Sequence, residues 1–131
     1  IFAVLINIDI NYEVPLDNIN GLKRLNVDSL RKFHTASCEV FTKLTQLEVL
    51  SARSTLLNKE HVNLLVVHCK HLTKLNLAFC AQVSDDIVYS ISTHAHALTY
   101  LNLQGTFILQ LTYSYVGKWT VSDILILQEH Q

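Results

Sequence analysis

The stretch HCKHLTKLNL, from His68 to Leu77, comes back as HAHALTYLNL, from His94 to Leu103, at an offset of 26 residues. A fixed offset of that size marks a solenoid, in which each unit buries its apolar side against its neighbours rather than against itself. Aligned on the better copy, the frame is L-x-x-L-x-L-x-x-C, occupied by Leu72, Leu75, Leu77 and Cys80. The copy that follows holds Leu98, Leu101, Leu103 and Thr106.

Earlier copies are looser. Leu47, Leu50, Ala52 and Thr55 fit the frame 25 residues before the reference copy, and Leu30, Phe33, Thr35 and Cys38 fit after a shorter step of 17. Leu5, Ile8 and Ile10 make a fifth. The expected organisation is one domain over 1–131 with about five repeats, starting near 5, 30, 47, 72 and 98. Within each frame the alternation x-L-x-L sends the leucines to one side of a short strand and the intervening residues to the other.

Two of the return segments carry helix signals. Asn58 can cap a helix whose apolar residues are Val62, Leu65, Val66 and Cys69, and Ser84 or Asp85 can cap one with Ile87, Val88, Ile91 and Ala95. Each set forms a single stripe at helical spacing. Pro15 reads as a helix-start residue ahead of Leu16, Ile19, Leu22 and Leu25. The short step between Leu30 and Leu47 leaves space for a loop or a single turn.

Composition sets the outer bounds. The chain has 131 residues, half of them hydrophobic, with three glycines and one proline, which excludes a disordered or collagen-like chain. It has no methionine and opens at Ile1, so it reads as a piece of a longer protein. Net charge is −1 and the basic residues fall in short pairs, Lys23-Arg24 and Arg31-Lys32, which argues against nucleic acid as a partner. Three cysteines without a C-x-x-C suit a reducing compartment. The apolar opening IFAVLI has no basic flank and is followed by Asn7 and Asp9, unlike a signal peptide, and no apolar stretch is long enough to span a bilayer. No membrane partner is expected, and the expected location is cytoplasmic or nuclear.

The chemical candidates are thin. His68, Cys69, His71, Cys80, His94 and His96 offer nitrogen and sulfur ligands at spacings that fit no zinc pattern, and no G-x-S-x-G, H-E-x-x-H or glycine-rich phosphate loop is present. No enzymatic activity, no metal and no cofactor are expected.

The unit from Cys69 to Thr93 closely resembles the cysteine-containing leucine-rich repeat of F-box/LRR proteins, on Cys69, Leu72, Leu75, Leu77, Cys80, Val83-Ser84-Asp85 and the Ile87 and Ile91 spacing. The resemblance implies an α/β fold, a right-handed leucine-rich-repeat solenoid or horseshoe segment with a parallel sheet on the concave side and helices and loops on the convex side. It also implies a substrate-recognition arm of an SCF-type ubiquitin ligase. The adaptor and cullin would be recruited only through a region outside this chain, which has no F-box-like segment. Related repeats without an F-box serve as ciliary or axonemal scaffolds and cell-cycle regulators, the alternative function. The slot filled by Cys38, Thr55, Cys80 and Thr106 turns the chain away from the strand in such repeats, and favours small side chains able to bond nearby backbone.

The concave face is the expected protein-binding surface. Its candidates are Lys32, His34, Ser51, Arg53, Lys74, Asn76, Phe79, Tyr100, Asn102 and Gln104, with Asn7, Asp9, Asn11, Ala36, Val49 and Ala78 also placed outward. Arg53, Phe79 and Tyr100 are the expected anchors, because arginine and aromatic residues dominate binding energy at interfaces. After Thr106 the pattern departs. Phe107, Leu109, Leu111, Tyr113 and Tyr115 alternate with other residues, so 107–120 reads as an irregular insertion, a strand and turn covering an edge, with Val121-Ser122-Asp123 as a delayed helix start. A partner-binding element and non-native sequence at the end of the chain are the alternatives for this segment.

Overall fold

Among the described residues each strand is three residues long, and the middle residue of each sits in one pairing row that crosses the sheet. The computed structural model describes residues 4–6, 20–30, 39–107 and 125–127. In chain order the elements are β1 (Val4–Ile6), β2 (Arg24–Asn26), α1 (Glu39–Lys43), β3 (Val49–Ser51), α2 (Lys59–His68), β4 (Lys74–Asn76), α3 (Asp85–His94), β5 (Tyr100–Asn102) and β6 (Leu125–Leu127). Every pairing is parallel, and the strands follow one another across the sheet in sequence order. The described chain is therefore α/β, built on one parallel sheet.

Register follows the repeat. Leu5 pairs with Leu25, Leu25 with Leu50, Leu50 with Leu75, Leu75 with Leu101, and Leu101 with Ile126. Parallel neighbours require a crossover of a dozen residues or more, and α2 and α3 lie in the crossovers from β3 to β4 and from β4 to β5. Leu25, Leu50, Leu75 and Leu101 are buried, and they share one core with Val62, Leu65 and Val66 of α2 and Ile87, Val88 and Ile91 of α3. The helices thus lie on the side toward which the strand leucines point, and the flanking strand residues face the other way.

Local chemistry explains where the helices begin and end. The Asn58 side chain accepts the His61 N–H at 3.1 Å, and the Asn58 N–H donates to His61 Nδ1 at 3.3 Å, so two of the unsatisfied donors at the start of α2 are capped reciprocally. That bond fixes the His61 proton on Nε2, with the ring tilted against Phe41 at 5.4 Å between centroids. At the start of α3, Ser84 takes extended backbone without a side-chain bond, and Asp85 and Asp86 place negative charge in the first turn, where the helix dipole favours it. At the other end of α2, His68 Nδ1 lies 2.9 Å from the Leu64 carbonyl oxygen, and His94 closes α3 in the equivalent place.

The structure corrects the expected repeat boundaries in two places. Leu22 and Leu25 do not belong to a helix: β2 covers Arg24–Asn26, and the frame of this unit is Leu22, Leu25, Val27 and Leu30. Leu22, Leu25 and Val27 are buried in the core, and the step to the next unit is 25 residues rather than 17. Leu30 therefore closes a frame instead of opening one, and Phe33, Thr35 and Cys38 lie outside the described residues. Likewise Leu5 is the middle of a strand, equivalent to Leu75 and not to Leu72.

At the far end, β6 pairs with β5 in the same way, Tyr100 with Leu125 and Asn102 with Leu127. The return from β5 to β6 is as long as those from β2 to β3 and from β3 to β4, so 107–120 adds no length beyond theirs. The delayed helix start expected at Val121-Ser122-Asp123 gives way to a strand two residues later. The expected strand and turn between Leu109 and Lys118 lie outside the described residues.

Burial of the thiols makes the fold sensitive to alkali. Cys69 is buried and its thiol is pushed up to about 12 from an ordinary value of 9.0, because ionisation would strand a charge in the core. Above pH 9.0 the unfolded chain releases a proton that the folded chain keeps, so stability falls as pH rises toward 12, at about 1.4 kcal/mol per pH unit for this group. Urea unfolding between pH 8 and pH 11 is expected to show a shallower decline for Cys69→Ala than for the parent chain; equal slopes would refute this origin.

Candidate functional site

The backbone ladder between units continues past the strands into the turns that follow them. The N–H groups of Val27, Ala52 and Leu77 donate to the carbonyls of Ser51, Asn76 and Asn102 at 2.8, 2.9 and 2.9 Å. Two residues later the N–H groups of Ser29, Ser54 and Phe79 donate to the carbonyls of Arg53, Ala78 and Gln104 at 2.7, 2.9 and 2.7 Å. These second donors stand in left-handed backbone, with φ of 63°, 57° and 59°, and Gly105 holds the same place in the last turn at 68°.

The amide between the two donors points elsewhere and needs its own acceptor. Asn26, Asn76 and Asn102 supply it: each side-chain oxygen accepts the N–H two residues on, from Asp28, Ala78 and Gln104, at 2.9, 3.0 and 3.0 Å. Ser51 occupies the asparagine position of the remaining unit. Its hydroxyl donates to Asp28 Oδ1 at 2.6 Å, and the same carboxylate oxygen accepts the Arg53 N–H at 2.9 Å. Asp28 of the preceding unit therefore stands in for the missing asparagine.

The polar occupants of the turn slot are engaged with backbone, Thr55 and Cys80 buried and Thr106 half-buried. Thr55 Oγ1 donates to the Ala52 carbonyl at 2.8 Å, Thr106 Oγ1 donates to the Leu103 carbonyl at 2.6 Å, and Cys80 Sγ donates across the units to the Ala52 carbonyl at 3.0 Å. In the β2 unit Leu30 fills this slot, and the expected occupant, Cys38, lies outside the described residues. Cys69 Sγ donates to the Leu44 carbonyl at 2.9 Å. Burial pushes the Cys80 thiol up; the charge of Asp28 adds to this, and hydrogen bonds involving Thr55 and Ser54 oppose it. Neither thiol stands in the exposed, electropositive setting of a nucleophile. Among the described residues no three of His, Cys, Asp or Glu come together as metal ligands would, and no helix is long and apolar enough to cross a membrane.

The sheet face opposite the core collects several of the expected binding residues. In the first row stand Arg24, Val49, Lys74 and Tyr100, and in the second Asn26, Ser51, Asn76 and Asn102. Lys74 and Arg53 are exposed, Ser51, Asn76, Tyr100 and Gln104 are half-buried, and Asn102 is buried. Ala78, expected outward, is buried instead, because the turn has already begun there. Lys32 and His34, with Ala36, Asn7, Asp9 and Asn11, lie outside the described residues. Arg24 and Asp28 were hidden from the sequence reading by the misplaced frame, although Leu22-x-x-Leu25-x-Val27 carried the signal for them.

Phe79 departs from the other left-handed positions. It is 41 % exposed, and its ring lies where a side chain on Gly105 would have to go, with the Arg53 guanidinium 5.6 Å from the ring centroid. Left-handed backbone costs a bulky residue about 1–2 kcal/mol, and an exposed cation–π contact returns about 0.5–1 kcal/mol. The position is strained on balance, the kind of strain that gathers at functional surfaces.

No protein-family model matches the chain, and no curated protein matches it.

Two comparisons separate scaffold from surface. Asn76→Ala leaves the buried Ala78 N–H without an acceptor and is expected to destabilise by about 1–3 kcal/mol, whereas Lys74→Ala should stay within about 0.5 kcal/mol of the parent in chemical denaturation. At the strained turn, Phe79→Gly is expected to be more stable than Phe79→Ala by about 1 kcal/mol, since only glycine relieves the backbone. The reverse order would mean that the ring is there for packing.

Proposed function

We propose that this chain is a run of leucine-rich repeats of the cysteine-containing kind, a right-handed solenoid that binds another protein on its sheet face and carries out no chemistry of its own. Within that class, the reading extends to the substrate-recognition repeats of an F-box/LRR subunit of an SCF-type ubiquitin ligase. The observation that carries it is the constant register. Leu25, Leu50, Leu75 and Leu101 stand in one row, each followed four residues on by a left-handed turn residue, and in the last three units the next residue, Thr55, Cys80 or Thr106, bonds a backbone carbonyl. A surface built this way presents side chains at fixed intervals along two directions, which suits recognition of an extended or irregular protein segment.

Cysteine chemistry supports the same reading. Cys69 and Cys80 each bond a carbonyl of the preceding unit, Leu44 and Ala52, so their sulfur atoms join neighbouring units and are not kept for reaction. Thr55 and Thr106 occupy the Cys80 slot and also bond a backbone carbonyl, there within their own unit, an exchange of residue type that a metal or redox role would not tolerate.

The ligase role is tested on the full-length protein that contains this chain. Affinity capture is expected to recover an SCF adaptor and cullin together with a bound protein. Capture of a bound protein in their absence would overturn the ubiquitin reading in favour of a ciliary or cell-cycle scaffold. In the same assay, replacing Arg53 and Tyr100 together by alanine is expected to reduce partner capture at least about tenfold while far-UV circular dichroism is unchanged. Undiminished capture would remove the sheet face as the binding surface.

A further inference from the structure

If the sheet face is where a partner sits, its charge says what that partner carries. The whole chain has a net charge of −1, and Glu60, Asp85 and Asp86 lie at the starts of α2 and α3. The sheet face reverses that balance. Arg24 in β2, Arg53 after β3 and Lys74 in β4 are exposed there. Against them stands the carboxylate of Asp28, whose Oδ1 is already engaged by the Ser51 hydroxyl and the Arg53 amide. Glu48, just ahead of β3, is engaged by the Lys23 ammonium at 3.2 Å, so that pair adds no net charge. Neither Lys74 nor Arg53 makes an ion pair among the described residues.

Beside these cations lies a hollow of about 260 Å³, lined by Val49, Ser51, Lys74, Asn76 and Tyr100. Drug-sized ligands and cofactors occupy clefts of roughly 300–1,000 Å³, so this one is sized for a side chain. Val49 and the Tyr100 ring give it apolar walls, and the hydroxyl and amide of Ser51 and Asn76 are turned to their own backbone and to Asp28. The groove between α2 and α3 offers no such selection: Lys59 faces Asp86 at 3.9 Å, and Glu60 and His94 mix the signs further.

We infer that the hollow seats one apolar side chain of an acidic peptide, and that Asp or Glu residues on either side of it are held by Lys74 and Arg53. This rests on the protein-binding reading and narrows it to a class of partner. An RNA strand could use the same cations and stack on Tyr100, but tracking phosphates requires a longer basic stripe than three residues interrupted by a carboxylate.

The test is a titration of the uniformly ¹⁵N-labelled chain with the synthetic peptide acetyl-Asp-Glu-Leu-Glu-Asp-amide, with its Asn/Gln counterpart and with an oligouridine as comparisons. The acidic peptide is expected to shift the amide signals of Ser51, Lys74, Asn76 and Tyr100, with the Asn/Gln peptide binding about tenfold more weakly. Lys74→Glu and Arg53→Glu, both at exposed positions, should each weaken the acidic peptide about tenfold, and so should raising salt from about 50 mM to about 500 mM. Equal binding of the two peptides at these residues would overturn the acidic preference and leave the protein-binding reading standing. Shifts confined to α2 and α3 would overturn both. Tighter binding of oligouridine than of peptide at the same residues would replace the partner class.

Discussion

Everything in this fold depends on a hydrogen-bond ladder that has to cross the turns as well as the strands. A three-residue strand offers too few pairings to hold its neighbour by itself, since even a pair of longer strands is marginal in water. The structure lengthens each pairing at both ends. Before the strands, the carbonyls of Lys23, Glu48 and Thr73 each accept two successive N–H groups from the next unit, and after them Ser29, Ser54 and Phe79 add a further bond. The left-handed residue is the condition for that last bond, which explains why it recurs at one position in every described turn.

The amide lying between the ladder bonds explains the asparagines. Asn26, Asn76 and Asn102 recur because a backbone donor at a fixed place must be satisfied, and an asparagine oxygen two residues earlier reaches it. The Ser51 unit shows that the requirement belongs to the donor and not to the asparagine, since Asp28 satisfies the Arg53 amide from the neighbouring unit. Asn76 and Asn102 are therefore held by the scaffold even though they stand on the outward face, whereas Lys74 and Arg53 leave their charged ends to solvent.

Much of this was legible in the sequence, and the errors have physical causes. The unit from Leu72 to Cys80 reads correctly because leucine fills every frame position, and the turn slot carries a small side chain. The β2 unit was misplaced because its slot holds Leu30, which looks like the opening of a frame, and because Leu22 and Leu25 are also spaced for a loose helix. The last strand was hidden more deeply. Its frame positions are Asp123, Ile126 and Gln128, so two of the three leucine places are polar, while apolar residues at 124, 125 and 127 are out of frame. Periodicity reports burial, and where a unit does not follow the burial pattern only the backbone register can reveal it.

The strained phenylalanine ties the scaffold to the surface. Serine twice and glycine once fill the other left-handed positions, so the ladder itself does not require an aromatic residue there. Its contacts are Gly105, where the absence of a side chain leaves space for the ring, and the Arg53 guanidinium. Each of the three residues stands in the turn of a different unit, and together they orient a cation at the margin of the sheet face. An arginine held against an aromatic ring has less side-chain freedom to lose on pairing with a carboxylate than one moving freely in water, so under the proposed function the strain in the turn would be offset in binding and not in folding. That is a reason for a bulky residue to persist where the backbone disfavours it.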